Sequence, residues 1–323
     1  MGENLAEVSE TEAVLEFTQK GYVRRFSQRS YQRRQARQSS EANPGLQTLE
    51  EDIILQVEPA LTSQELLTFT RDGRAFTLKV GDIPPHPRQG KGVPLVNLLP
   101  DTVPAEAGAV VAQRVIQGEL LDYDLILVTR QGKIKRAPLG EFTNLTGRGL
   151  TAIKVKEGDE LAHVTLAEAG DDLVLGTSGG RLLRFSIDDE NLPPMGRAAQ
   201  GPQGIRMGKQ ETVVGCVRVQ SAQEDLVLIS AAGYGKRLPV AELRMARRGD
   251  LGTQAMQFSL KGDTLVALLP HRPEDSLTLV SNQDRGGTLL VAELPPQGRT
   301  GESRRLINLG RGELLTLVRY GNA

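Results

Sequence analysis

Six segments of this chain are variations on one plan. They span residues 12–27, 65–79, 124–139, 172–186, 225–240 and 276–291. Each runs an apolar stretch, a Thr or Ser, two further residues and a Gly, then a second stretch richer in basic residues, as in DLILVTRQGKIKRAPL (124–139). The glycine is Gly21, Gly73, Gly132, Gly180 or Gly233, and Asp284 takes its place in the sixth copy, so the plan returns roughly every fifty residues. Short apolar runs joined by a polar dipeptide and a Gly read as β-hairpins, because Gly supplies the positive φ of a tight turn. Asp tolerates that conformation better than most residues, so the sixth copy keeps the pattern.

Two further elements follow the hairpins. The first is a Gly/Arg-rich loop leading into another strand: PRQGKGVPLV (87–96), LTGRGLTAIKV (145–155), GRAAQGPQGIRM (196–207), ARRGDLGTQAMQF (246–258) and GRTGESRRLINL (298–309). The second is an acidic turn and a strand, as in KEGDELAHVTL (156–166) and KGDTLVALLP (261–270). Each unit therefore holds about four strands and no convincing amphipathic helix. Six four-stranded units predict an all-β, propeller-like ring in one domain over 1–323, because radial closure buries each sheet face against its neighbour. Residues 1–10 precede the first copy and are expected to be a flexible lead.

Composition excludes several classes. There is no apolar run long enough for a membrane helix, and MGENLAEVSETEA is acidic, without the apolar core of a secretory signal. The one cysteine, Cys216, sits in VVGCVRV and reads as a buried small hydrophobe. A cytoplasmic protein is expected, with no membrane partner.

The net charge is only -1, yet the basic residues are not scattered. From Lys20 to Arg37 there are seven of them and no acid. That stretch contains Arg24, Arg25, Arg29, Arg33, Arg34 and Arg37, with Gln32 among them. Later copies carry Lys133, Lys135 and Arg136, then Arg181 and Arg184, then Lys236 and Arg237, just past the hairpin turn. The Gly/Arg loops add Arg88, Lys91, Arg148, Arg197, Arg206, Arg247, Arg248, Arg299, Arg304 and Arg305. A repeat puts equivalent residues at equivalent points of a ring, so recurrent charge predicts a basic belt. A belt of that shape suits a curved polyanion, most simply bent double-stranded DNA.

Phrases such as LILVTRQGKIKRAPLGEF, ISAAGYGKRLPVAELRMARRGDLGTQAM and GLTAIKVKEGDELAHV make the chain resemble a known family over about residues 10–320. It is similar to the C-terminal β-pinwheel domain of DNA gyrase's A subunit, shared with the related subunit of topoisomerase IV. The resemblance implies a six-bladed ring whose neighbours share strands, with DNA carried on the basic outer edge. It implies a place beside the topoisomerase core, the A-subunit N-terminal region and the B subunit, in an ATP-dependent type II DNA topoisomerase. The family's first blade bears a loop close to Gln-Arg-Arg-Gly-Gly-Lys-Gly. Gln32-Arg33-Arg34-Gln35-Ala36-Arg37-Gln38 stands there in this chain; the first three residues match and Arg37 can serve for the Lys. The three glycines are absent, so a loop of different shape is expected, and wrapping is the property that this departure touches.

No catalytic set, cofactor motif or metal site is expected. His86, His163 and His271 are scattered, and no Walker A or Rossmann glycine pattern occurs. In the family the cleavage activity lies in a separate region with a catalytic tyrosine, for which the first ten residues offer no room; a piece of a longer polypeptide and a free-standing product both fit the sequence. Two other readings stay open: a propeller-type platform for protein partners, and a topoisomerase IV-type domain that binds DNA without wrapping it.

Overall fold

The computed structural model describes residues 11–36, 46–49, 52–87, 90–104, 106 and 108–320. Six antiparallel sheets form a ring of blades, numbered here by their hairpins. The hairpins pair Glu12–Thr18 with Tyr22–Ser27, Glu65–Thr70 with Arg74–Lys79, Asp124–Thr129 with Ile134–Pro138, Asp172–Thr177 with Arg181–Ser186, Asp225–Ser230 with Tyr234–Pro239, and Ser276–Ser281 with Arg285–Leu290. At every turn the expected residue has positive φ: 79 to 83° at the five glycines and 53° at Asp284.

The recurring Thr or Ser has its own physical task. In blades 1, 3, 4 and 5 its buried hydroxyl accepts the backbone N–H four residues on, from Tyr22 to Thr18 at 3.1 Å, from Lys133 to Thr129 at 3.0 Å, from Arg181 to Thr177 at 3.3 Å and from Tyr234 to Ser230 at 3.2 Å. The side chain thus closes the turn from inside the sheet, where an unpaired N–H would be costly.

The strand after each acidic turn lies toward the ring centre. Ile54–Leu61, Val110–Val115, Leu161–Ala167, Val213–Val219, Leu265–Pro270 and Leu315–Tyr320 each pair with the first strand of their blade's hairpin. The outermost strand is borrowed from the unit that follows. Val93–Pro94, Leu150–Thr151, Thr253–Gln254 and Arg304–Arg305 come from the Gly/Arg loops after the next hairpin and complete blades 1, 2, 4 and 5. Blade 3 has three full strands, and a single bridge from Lys133 to Gln203 stands in the fourth place. Blade 6 is completed by Gln47–Thr48, which follow the first hairpin and pair with Arg285 and Gly286, so the ring is closed.

Apolar side chains pack between blades rather than within a common centre. Leu15, Phe17 and Leu66 belong to the layer between blades 1 and 2, Leu127 and Phe142 to that between 2 and 3, Ile126 and Leu175 to that between 3 and 4, Leu182 and Leu228 to that between 4 and 5, and Val227 and Leu279 to that between 5 and 6. Among the described residues no such cluster spans blades 6 and 1. There the joint is made at the rim, by the strand pairing and by Arg285, which donates to the Leu46 carbonyl at 2.5 Å and pairs with Glu313 at 2.8 Å.

The basic stretch of the first unit departs from expectation. Gln28–Gln35 form an α-helix, α1, where an open loop was expected. Gln and Arg are good helix formers, and no Gly or Pro interrupts the run. Ser27 caps it, its hydroxyl accepting from the Ser30 N–H at 3.3 Å, and Arg33 and Arg34 lie in the last turn, where the helix dipole favours cations. Arg37 and Gln38, also assigned to that loop, lie outside the described residues.

Candidate nucleic-acid interface

The hairpins place their basic residues on the second strand, three and four positions beyond the turn glycine. These side chains turn inward rather than onto a belt. Lys135 and Lys236 are fully buried. The Lys135 ammonium donates to the carbonyls of Ala152 at 2.6 Å and Arg197 at 3.0 Å. That of Lys236 donates to Gly298, Arg299 and Gly301 at 2.9, 3.0 and 2.9 Å. Burial pulls Lys135 down to about 8, against the raising effect of Glu141, and lowers Lys236 against Glu242.

The next position along is an arginine tied to its own hairpin. Arg136 pairs with Asp124 at 2.5 Å and Asp189 at 3.2 Å, Arg184 with Asp172 at 2.6 Å, and Arg237 with Asp225 at 3.3 Å. Each Asp opens its hairpin, in the phrases DLIL, DLVL and DLVL, and this recurrent Asp with an Arg twelve residues on was a legible signal of an internal ion pair. In blade 1, Arg25 donates to the Ile83 carbonyl at 2.5 Å. Arg24 donates to the Lys91 carbonyl at 3.0 Å and pairs with buried Glu16 at 3.3 Å. Arg34 reaches the same carboxylate at 3.4 Å and lies over the Phe26 ring at 5.2 Å, so the helix α1 is docked on blade 1. Arg181 pairs with Glu211 at 3.1 Å, and half-buried Arg248 donates to the carbonyls of Asn191 and, at 2.9 Å, Gln203. Lys133 is half-buried beside its bridge to Gln203.

What remains on the rim comes from α1 and the Gly/Arg loops. Arg29, Gln32 and Arg33 are exposed on the helix. Arg148, Arg197, Arg247, Arg304 and Arg305 are exposed on the loops, as are Lys91, Arg206 and Arg299. Among the described residues no carboxylate pairs with the guanidinium of Arg29, Arg33, Arg148, Arg247, Arg299 or Arg304. Arg197 has a loose partner, Glu141 at 3.6 Å, and Arg305 lies over the Tyr234 ring at 5.2 Å. Unpaired guanidinium groups on equivalent loops can each meet a phosphate at little cost in broken contacts. Arg88 lies outside the described residues.

The centre of the ring holds a cavity of about 910 Å³, bordered by Gln56, Glu58, Gln113, His163, Cys216 and Arg319. Burial pushes the Cys216 thiol up, which keeps it protonated. Among the described residues no group of three His, Cys, Asp or Glu side chains could hold a metal ion, and no helix is long and apolar enough to cross a membrane.

A closed six-bladed ring with exchanged rim strands defines the class: a propeller-like β-ring, with arginines on its rim loops that lack a carboxylate partner among the described residues. The chain belongs to the DNA gyrase C-terminal domain, beta-propeller family, whose model matches residues 64–101, 123–168, 171–220 and 224–272. It is 34% identical over 275 residues to the A subunit of DNA gyrase from Staphylococcus epidermidis, and 32% identical to that from Staphylococcus aureus, covering 85% of this chain in both. The chain spans about 30% of the length of the first relative. Among solved structures, the C-terminal domain of DNA topoisomerase IV matches with a TM-score of 0.81 at 22% identity, covering 97% of this chain and 94% of that one. The DNA gyrase A C-terminal domain matches with a TM-score of 0.71 at 20% identity, covering 96% and 100%. At those identities the two structures speak for the fold.

Proposed function

We propose that this chain binds double-stranded DNA without sequence preference on its outer rim and bends or wraps it. It does so as the C-terminal accessory domain of a type IIA DNA topoisomerase of the gyrase A kind, beside the A-subunit N-terminal region and the B subunit in the cytoplasm, in support of DNA supercoiling. The observation that carries this reading is the set of exposed arginines that recur on the rim loops, most of them without a carboxylate partner among the described residues. Apart from Arg29 and Arg33 on α1, these arginines stand singly or in pairs on the loops of successive blades, an arrangement that suits phosphate rather than base-edge contacts.

If Arg29, Arg33, Arg148, Arg197, Arg247, Arg299, Arg304 and Arg305 each neutralise one phosphate, the slope of log affinity against log salt is about −7. Affinity then falls roughly ten-thousandfold between 50 and 200 mM salt. The test is ligation of nicked plasmid with increasing protein, read as the change in linking number. A positive shift means wrapping with the hand that supports negative supercoiling. Failure to bind DNA at 50 mM salt overturns the reading and favours a platform for protein partners.

A second reading is favoured by α1. The first-blade segment is a docked helix rather than a glycine loop, so DNA held along the rim without being wrapped, as a topoisomerase IV-type domain, is the outcome if binding occurs with no linking-number shift.

A further inference from the structure

The buried cations are distributed by a rule. Three positions beyond the hairpin turn stand Arg24, Lys135 and Lys236 in blades 1, 3 and 5. In blades 2, 4 and 6 the same position holds Phe76, Leu183 and Gly287, none of which has a side-chain donor. Lys135 and Lys236 donate to one equivalent acceptor, the main-chain carbonyl of the exposed arginine three residues after the proline that bridges to their hairpin, and Arg24 donates to the carbonyl of exposed Lys91, three positions further along the corresponding loop. Arg24 Nε reaches the Lys91 carbonyl, Lys135 Nζ that of Arg197 and Lys236 Nζ that of Arg299, all at 3.0 Å.

Neither lysine forms an ion pair with a carboxylate among the described residues. Glu141 instead lies 3.6 Å from Arg197, and Glu242 accepts from the Arg299 N–H at 2.5 Å. A buried ammonium without a counter-ion is costly, and a methionine of similar length would fill the space without that cost. The ammonium does one thing a methionine cannot: it gathers the carbonyls of 298, 299 and 301 onto a single point. That fixes the backbone of the loop and with it the direction in which the Arg299 side chain leaves.

We propose that Arg24, Lys135 and Lys236 are positioning residues of the rim, holding the loops of alternate blades so that Lys91, Arg197 and Arg299 face outward in a fixed register. The rim then carries phosphate contacts braced by a buried cation on blades 1, 3 and 5, whereas on blade 2 the Arg148 carbonyl accepts from Arg74, just past the turn of that blade's hairpin. This rests on the DNA-binding reading above.

The experiment is a double-mutant cycle on the full chain, with binding to a labelled mixed-sequence duplex followed by fluorescence anisotropy across a salt series. The Lys236 amine is enclosed and cannot itself touch phosphate. Lys236→Met is nonetheless expected to flatten the salt slope by about one, as Arg299→Ala does. The double variant is expected to bind no more weakly than Arg299→Ala alone. Leu183→Met, at the same position of blade 4, is expected to leave the slope unchanged. Additive losses in the double variant, or wild-type binding by Lys236→Met with the ring intact, overturn the brace while leaving the rim reading in place. Wild-type binding by Arg299→Ala overturns Arg299 as a rim contact and the brace with it. Should Lys236→Met fail to assemble, Lys236→Gln keeps an N–H donor for the loop carbonyls. The cycle of Lys135→Met with Arg197→Ala repeats the test in blade 3.

Discussion

Replacing Glu16 by Gln is expected to loosen blade 1 and release α1 at once. Glu16 is 2% exposed and is shared by two guanidinium groups, Arg24 at 3.3 Å and Arg34 at 3.4 Å. The two partners differ in burial: the Arg24 side chain is 8% exposed and that of Arg34 is 26%. Without the carboxylate Arg24 keeps the Lys91 carbonyl but becomes a buried charge with no counter-ion, a change that costs about 3–5 kcal/mol. Arg34 can turn toward water, so its share is about 1 kcal/mol or less. Glu16→Gln is therefore expected to lose about 3 kcal/mol or more and Arg34→Ala about 1 kcal/mol, read from urea unfolding followed by circular dichroism. Amide exchange over residues 28–35 is expected to speed up in both variants, because each removes the ion pair that docks the helix. The sign of the DNA effect is a second check. Glu16→Gln makes the chain more positive, so charge alone predicts tighter binding, whereas a freed helix predicts weaker binding. An unchanged unfolding midpoint in Glu16→Gln, or an Arg34→Ala loss as large as that of Glu16→Gln, would refute this account of the site.

Three further outcomes are expected. Burial, with the nearby charge of Arg319 adding to it, pulls His163 down to about 4 against the opposing effect of the hydrogen bond its imidazole donates to the Val213 carbonyl. The unfolded chain then takes up a proton before the folded one, so stability falls as pH drops from about 6.5 to about 4. The loss is at most about 3 kcal/mol, reduced because the imidazole borders the central cavity, and His163→Gln is expected to flatten that part of the acid unfolding profile. Leu228→Ala, which empties a fully buried position between blades 4 and 5, is expected to cost about 2–5 kcal/mol in urea unfolding. Asp284→Gly relieves a non-glycine residue held at φ 53°, and is expected to raise thermal stability by up to about 1 kcal/mol; a drop in melting temperature would show that Asp284 has a task beyond the turn.

The turns were legible because their chemistry is local. Gly132 and Thr129 are three residues apart, and each announces its part in the hairpin. The ring was legible because six copies of such a unit have few ways to bury their faces. The inward cations were not, because their partners come from far along the chain: Lys236 is met by carbonyls 62 to 65 residues away, and a charged residue within a strand looks the same in sequence whether its side chain is enclosed or free. The borrowed rim strands were hidden for another reason. Two residues such as Val93 and Pro94 are too few to show an alternation. The helix α1 does carry a local signal: Ser27 before a run of Gln and Arg is an N-cap before good helix formers, and the missing glycines of the loop it resembles removed what would have opposed it.

Strand exchange also sets the order in which the ring can be built. Five blades are finished by the unit made after them, so each can be completed as the chain lengthens. Blade 6 is finished by residues made long before it, and the contact from Arg285 to Leu46 spans 239 positions. Closing so long a loop adds little to the equilibrium cost, about 0.6 kcal/mol for each doubling of length, but contacts between distant parts of a chain form slowly. Residues 46–49 must therefore wait with an open edge until the sixth hairpin exists. The last and slowest phase of refolding is expected to be this single joint, and a chain cut short before the sixth hairpin keeps four finished blades, a fifth without its outer strand, and no ring.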